Sequence, residues 1–344
     1  MPRVGQHGQY AECVGNGTFV TLLTGERYAA PAACLPAQLR AVNSTCPLLL
    51  VYNDADPSLP LPLLEEAYGR EWLMPLSHLK VRHERHGRAR LIGGAPGRRL
   101  FAGAEAHNTY LKIWLWALSL PGRAVFLDID ILLLRNVDGL LEIMGNVSKD
   151  AKDFGAITCK SKFGERYFNS GIMVFTPSMH VLDRLLEYVR FASGPWYGHL
   201  PHASEPWVDK CSPRDDPYAS KRMFPNSSNA LSECRARYGP GRTPGKMVKA
   251  CESKYTDQSI FNMVFTSHVS LPRGYNMASA SHDVQSHYIQ HFVGEPKPWS
   301  NSAFTGRGSE PARRLTTRLW RQRCARTFVD HGKLPVNHTW ATGP

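Results

Sequence analysis

Asp128-Ile129-Asp130 follows the apolar run Ala124 to Leu127, so two carboxylates emerge where a strand leaves the core. In extended chain, residues i and i+2 point to the same side about 6.5 to 7 Å apart, close enough for both to reach one ion. Carboxylate oxygens suit Mg²⁺ or Mn²⁺, and such an ion commonly bridges a phosphate. A second copy, Asp54-Ala55-Asp56, precedes Pro57 in polar text and reads as a solvated turn. Far downstream, His291-Phe292-Val293-Gly294 is followed by Lys297-Pro298-Trp299. A strand-end histidine can ligate a metal, Gly294 lets backbone approach closely, and Lys297 can neutralise a phosphate. Alone, His291 and Lys297 read as a satisfied strand-end histidine and a solvated lysine; beside the aspartates they read as a metal and phosphate site.

These side chains need rigid elements to bring them together, and the sequence alternates strand-like and helix-like text. Phe19 to Leu23 and Leu48 to Tyr52 are short apolar runs bounded by Gly, Pro and Asn, as buried parallel strands are. Asn108 or Thr109 can cap a helix carrying Leu111, Trp114, Leu115 and Leu118, stopped by Pro121-Gly122. The strand Ala124 to Leu127 comes next. A further strand, Ile172 to Phe175, leads through Pro177-Ser178 into a helix with Leu182, Leu185, Leu186 and Val189 on one face. From Ser193 to Ala250 no period survives, which predicts a loop-rich insertion bearing specificity. Regular text resumes at Thr256 with a short helix, then the strand-like Tyr288 to Val293, and the chain closes on an amphipathic helix over Ala312 to Phe328. Alternation of this kind predicts an α/β fold, a doubly wound mixed sheet with helices on both faces and sites at the carboxyl ends of strands.

In chain order, Phe19-Val20-Thr21-Leu22-Leu23-Thr24 with Tyr28, Lys112 sixteen residues before Asp128, Phe126-Leu127-Asp128-Ile129-Asp130, Phe168-Asn169-Ser170-Gly171, Asp257-Gln258 and the His291 to Trp299 motif resemble glycosyltransferase family 8. The glycogenin-like branch, with the plant glucuronosyltransferases, is the part of the family it resembles. That resemblance implies a GT-A fold over residues 19–299, a UDP-sugar donor, Mn²⁺, retention of anomeric configuration and a glycan or glycoprotein acceptor; it leaves room for a homodimer. Carried over, Leu22, Thr24 and Tyr28 form the uridine pocket, and Asp128, Asp130 and His291 the metal set. Lys112, Gly294 and Lys297 contact the donor phosphates, with Asn169, Ser170, Gly171, Asp257 and Gln258 at the sugar and acceptor. Lys112, Asp257 and Gln258 are the candidate catalytic groups; as its structural alternative, Asp257 caps the helix after Thr256. Lys254, three residues before Asp257, suits a uronic-acid donor, and Gly25 leaves one base contact to backbone. No tyrosine lies between Tyr275 and Tyr288, so autoglucosylation is not expected.

Composition bounds the rest. The chain has 344 residues, 42% hydrophobic and 20% charged, enough for a large core and against wholesale disorder. No apolar run reaches the roughly 20 residues of a membrane span, so the chain reads as soluble. Its net charge of +12 comes wholly from residues 80–99 and 307–326, each with seven basic residues against one glutamate. Neither segment carries a zinc-finger or RNA-binding signature, so solvated surface is favoured and no nucleic-acid partner is expected. Residues 1–18 read as an extension and 300–344 as a basic tail. The eight cysteines contain no C-x-x-C pair, which argues against structural zinc. N-x-S/T acceptors stand at Asn16, Asn43, Asn146, Asn226 and Asn337, five of thirteen asparagines, where roughly one or two would arise by chance. With three cysteines between 211 and 251, that excess leans towards a secretory or Golgi lumen. Met1 to Thr18 lacks a basic region followed by an apolar one, which favours the cytoplasm unless a leader is missing.

Two other classes compete with the transferase. A haloacid-dehalogenase-like phosphohydrolase also begins with an apolar strand and D-x-D, but it wants Thr or Val where Leu132 stands. A catalytically silent protein could use the two arginine segments to bind polyanions.

Overall fold

The computed structural model describes residues 13, 17–83, 110–143, 154–160, 166–193, 257–265, 268–277, 286–293, 297–299 and 309–329. The predicted insertion, the caps Asn108 and Thr109, Lys254 and Gly294 lie outside the described residues, as does the basic segment beyond His83.

Seven strands form the central sheet: β1 (Thr18–Leu23), β2 (Leu48–Tyr52), β3 (Leu73–Pro75), β4 (Ala124–Leu127), β6 (Phe154–Lys160), β7 (Arg166–Phe175) and β8 (Val269–Ser270), in the order β3-β2-β1-β4-β7-β6-β8. The pairings β3/β2, β2/β1 and β1/β4 are parallel, whereas β7 runs antiparallel to both β4 and β6. It is a mixed sheet covered by helices on both faces, as the alternation of strand-like and helix-like text predicts. The strand predicted over Ile172 to Phe175 begins six residues earlier, at Arg166, because β6 extends the antiparallel pairing beyond β4.

Successive residues of a strand face opposite sides, and the apolar runs of β1 and β4 therefore feed two cores. Val20, Leu22, Ala124 and Phe126 pack with Trp116 and Phe261 on one side. Phe19, Leu23, Val125 and Leu127 pack on the other, against α1 (Ala29–Ala41) and α2 (Leu61–Tyr68). The remaining named helices are α3 (Leu76–His83), α4 (Leu140–Ile143), α5 (Met179–Ser193), α6 (Asp257–Val264) and α7 (Glu310–Val329). Ser178 starts α5, its hydroxyl accepting from the Val181 amide at 3.4 Å.

The helix expected before β4 is a 3₁₀ segment, Tyr110–Ala117. Tyr110, Ile113 and Trp116 are buried at intervals of three, the period at which 3₁₀ side chains align, so its large rings reach the sheet together.

Only Ile289–His291 of the strand expected over Tyr288 to Val293 is extended (β9), and it pairs outside the main sheet with β5 (Ile131–Leu133). This antiparallel ribbon sets Ile131 opposite His291. The arginine-rich segment read as a tail contributes α7, which docks on α1 and is joined to it by Cys34–Cys324. A second disulfide joins Cys13 to Cys46. Trp320 and Cys324 are buried with Cys34, Leu132 and Phe292. Among the described residues no helix is long and apolar enough to cross a membrane.

Candidate active site

Chain direction delivers the aspartates to one pole. β4 ends at Leu127, its carbonyl accepting from Thr21 Oγ1 at 2.7 Å, and the Asp128 amide donates to the Gly171 carbonyl at 2.9 Å. The Phe292 amide donates to the Asp130 carbonyl at 2.8 Å, fastening the end of β9 to the turn that carries the carboxylates. One ligand atom each from Asp128, Asp130 and His291 lies within 4.8 Å of the others. His291 Nε2 stands 3.2 Å from Asp130 Oδ1 and 3.7 Å from Asp128 Oδ2. Two carboxylates and an imidazole at this spacing form a donor set that fits Mg²⁺ or Mn²⁺.

Two lysines close the cluster. Lys112 Nζ lies 2.9 Å from Asp128 Oδ1 and 3.1 Å from Asp257 Oδ2, with the Phe126 ring centroid 4.9 Å away. Lys297 Nζ donates to Asp130 Oδ2 at 2.6 Å and to the Phe292 carbonyl at 2.7 Å. The electrostatics divide the pair of aspartates. Burial and the neighbouring Asp130 charge push Asp128 above the ordinary carboxylate value, against Lys112 and His291, which pull it down. Burial acts the same way on Asp130, but His291 and Lys297 overcome it and hold that carboxyl well below its usual range. For Lys112, burial works against the charge, yet Asp128 and Asp257 raise its pKa.

A polar chain runs behind the ligands. The Gly171 amide donates to Asn169 Oδ1 at 2.9 Å, which fixes which amide atom of Asn169 is oxygen. Asn276 Nδ2 donates to that same oxygen at 2.7 Å, so Asn276 Oδ1 faces His291 Nδ1 at 2.9 Å. An amide oxygen only accepts, so Nδ1 carries the proton and Nε2 is the nitrogen turned to the aspartates. Asn169 Nδ2 in turn donates to Gln258 Oε1 at 3.0 Å, and Ser170 Oγ donates to Asp257 Oδ2 at 2.8 Å. Asp257 is the first residue of α6, and its buried carboxylate faces Ser170 and Lys112.

Lys112, Asp128, Asp130, Asn169, Ser170, Gly171, Asp257, Gln258, His291 and Lys297 thus meet in one contiguous network. Leu22 is buried in β1, Thr24 directly follows that strand, and Tyr28 ends the turn Glu26–Tyr28. The Tyr28 ring meets Trp299 edge-on at 5.6 Å, which ties the uridine candidates to the Lys297 segment. The other D-x-D is a turn: Asp54 accepts from the Ser77 amide at 2.9 Å and Asp56 from the Ser58 amide at 3.0 Å. Sequence reading missed Asn276, which stands fifteen residues before His291 with no spacing rule to connect them. It also missed Arg321, whose Nε donates to the Pro298 carbonyl at 3.0 Å, and Arg323, which donates to the Leu133 carbonyl.

Glycogenin of Komagataella phaffii is 24% identical over 179 residues, covering 52% of this chain and 40% of that protein. Human Glycogenin-2 is 30% identical over 177 residues, covering 51% of this chain and 30% of its own length. About half of the chain is thus similar in sequence to glycogenins. The chain spans well under half the length of these two relatives. No family model matches it. Among solved structures, the galactosyltransferase LgtC in complex with donor and acceptor sugar analogues is 15% identical, covering 89% of this chain and 99% of that one at a TM-score of 0.42. Mouse xyloside xylosyltransferase 1 is 14% identical, covering 81% and 99% respectively at a TM-score of 0.40.

Proposed function

We propose that the chain is a retaining glycosyltransferase that moves a hexosyl group, glucose or glucuronate, from a UDP-sugar to a glycan or protein-linked acceptor with Mn²⁺ bound by Asp128, Asp130 and His291. The convergence of those three side chains with two lysines at the carboxyl end of β4 carries the reading. Breaking a sugar–phosphate bond places negative charge on the departing diphosphate and positive charge on the ring. A divalent ion held there supplies Lewis-acid stabilisation of the diphosphate oxygens.

The protein's own groups do the rest. Lys112 and Lys297, now spent on carboxylates, are the cations within reach of the same diphosphate. Asn169, Ser170 and Gln258 offer the amide and hydroxyl groups that orient a sugar ring, while Asp257 holds Ser170 and Lys112 in place. The diphosphate oxygen itself accepts the acceptor's proton, so no separate general base is required.

Arg321 and Arg323 are partly buried and each donates to a backbone carbonyl, so part of the arginine segment is engaged within the fold. Leu132, where a phosphohydrolase wants Thr or Val, is wholly buried beside Trp320.

The test is UDP release from a panel of UDP-sugars with and without Mn²⁺. Release is expected to require the metal and to fall by about a hundredfold or more in Asp130→Ala. Turnover indifferent to chelator overturns the reading.

A further inference from the structure

We infer that Asn43 carries an N-linked oligosaccharide. Asn43-Ser44-Thr45 has the acceptor pattern, and of the five such patterns in the chain this one lies among the described residues. The residue is exposed and sits just beyond the end of α1 in the left-handed region, φ 55°, where asparagine is well tolerated. Its backbone is anchored: the amide donates to the Arg40 carbonyl at 3.0 Å, and its own carbonyl accepts from Asn136 Nδ2 at 2.7 Å. Its side-chain amide makes no hydrogen bond among the described residues. A rigid turn with a free amide accommodates a bulky conjugate without breaking a contact.

The second observation is redox. Cys13–Cys46 and Cys34–Cys324 are both joined, and Cys46 stands three residues after Asn43. Disulfides persist in the oxidising lumen where lipid-linked oligosaccharides are also available. There the Asn43 Nδ2 would form a bond to the anomeric carbon of an oligosaccharide carried on a polyisoprenoid diphosphate. The sugar–oxygen bond to that diphosphate breaks, and the lipid diphosphate leaves with the proton lost from the amide. In the folded protein Asp138 accepts from the Thr45 amide at 3.0 Å and from Ser44 Oγ at 2.5 Å, which pins the acceptor segment, so modification precedes closure of this turn.

Topology makes the conjugate compatible with the candidate active site. Asn43 precedes β2, whereas Asp128 follows β4, and β2, β1 and β4 are mutually parallel, so the two lie at opposite poles of the sheet. The inference does not depend on the proposed transferase activity.

The experiment uses protein isolated from its source cells, treated with a peptide N-glycosidase in heavy-oxygen water, then reduced and alkylated to free Cys46 from Cys13 and digested with trypsin in ordinary water. The untreated sample is reduced, alkylated and digested in the same way. The tryptic peptide spanning 41–70 is expected to show heavy-oxygen aspartate at Asn43 and ordinary asparagine at Asn53, an internal control without the acceptor pattern. Untreated protein should lack the unmodified peptide, and Asn43→Gln expressed in the same cells should lose one glycan increment of mass while keeping its circular-dichroism spectrum. An unlabelled peptide 41–70 recovered in full from untreated protein overturns the inference, as does an unchanged mass in Asn43→Gln.

Discussion

Asn276 Oδ1 sits 2.9 Å from His291 Nδ1, and the amide that holds Asn276 in that orientation traces back to the backbone N–H of Gly171. The imidazole tautomer is therefore set by main chain, through two asparagines. Replacing Asn276 by Ala frees the ring to turn and is expected to weaken Mn²⁺ affinity about 10- to 100-fold, whereas Asn276→Asp keeps an acceptor and retains most of it. Loss of the free Mn²⁺ electron-paramagnetic-resonance signal on titration measures both. Equal affinity in Asn276→Ala and wild type would remove the orienting role.

Gly171 is required by space rather than by backbone conformation. A Cβ there would run into His291 Cε1, lie 2.7 Å from His291 Nδ1 and 2.8 Å from Asn169 Oδ1. Gly171→Ala is expected to displace the imidazole, lowering Mn²⁺ affinity and destabilising the fold by about 1–3 kcal/mol. Urea unfolding read alongside metal titration checks both effects, and a variant with wild-type values in the two would contradict the packing.

Asp130 gives a pH signature. Its folded-state pKa lies below the unfolded value, so its stabilisation is present above the ordinary carboxylate range, about pH 4, and is lost as the pH falls through the depressed folded value. The stability advantage of wild type over Asp130→Asn, measured without metal, should therefore be large near neutrality and shrink below about pH 4. Asp128 has the opposite sign, because its raised pKa makes its ionised form a liability that acid relieves. Urea midpoints across the acid range decide the matter: a gap independent of pH would mean that Asp130 is not the group held ionised.

The C-terminal helix should behave as core. Trp320 is 1% exposed and packs 5.3 Å from Trp299, so Trp320→Ala is expected to cost about 3–5 kcal/mol. Cys34→Ser with Cys324→Ser opens a link between residues 290 apart in sequence and should cost about 2–4 kcal/mol. Thermal unfolding of the purified variants is the measurement; unchanged midpoints would show that α7 is dispensable.

Most of the sheet and the paired aspartates could be read in advance from short-range signals, whereas Lys112, Asn169, Ser170, Gly171, Asp257 and Gln258 were reached through a family resemblance. Phe19 to Leu23 and Ala124 to Leu127 are apolar on both faces, and Asp128 and Asp130 share a side by strand geometry alone. Asn276 escaped because its meaning lies in a bond to Asn169, 107 residues away, and an isolated asparagine before a polar stretch has no periodicity. α7 was misleading for a different reason. Its arginines look like solvated charge, yet Arg321 and Arg323 donate to Pro298 and Leu133 carbonyls, and only the fold reveals which cations are consumed by main chain. The 3₁₀ segment Tyr110–Ala117 followed from ring packing, which no helical stripe anticipates.

The β5–β9 ribbon pairs Ile131 with His291, so the imidazole and the neighbouring Asp130 are held together by strand alignment rather than by chain length. A slip of one position would present Gln290 or Phe292 in its stead and reverse every face. The ligand set therefore depends on the register of a three-residue ribbon as much as on the identity of its side chains.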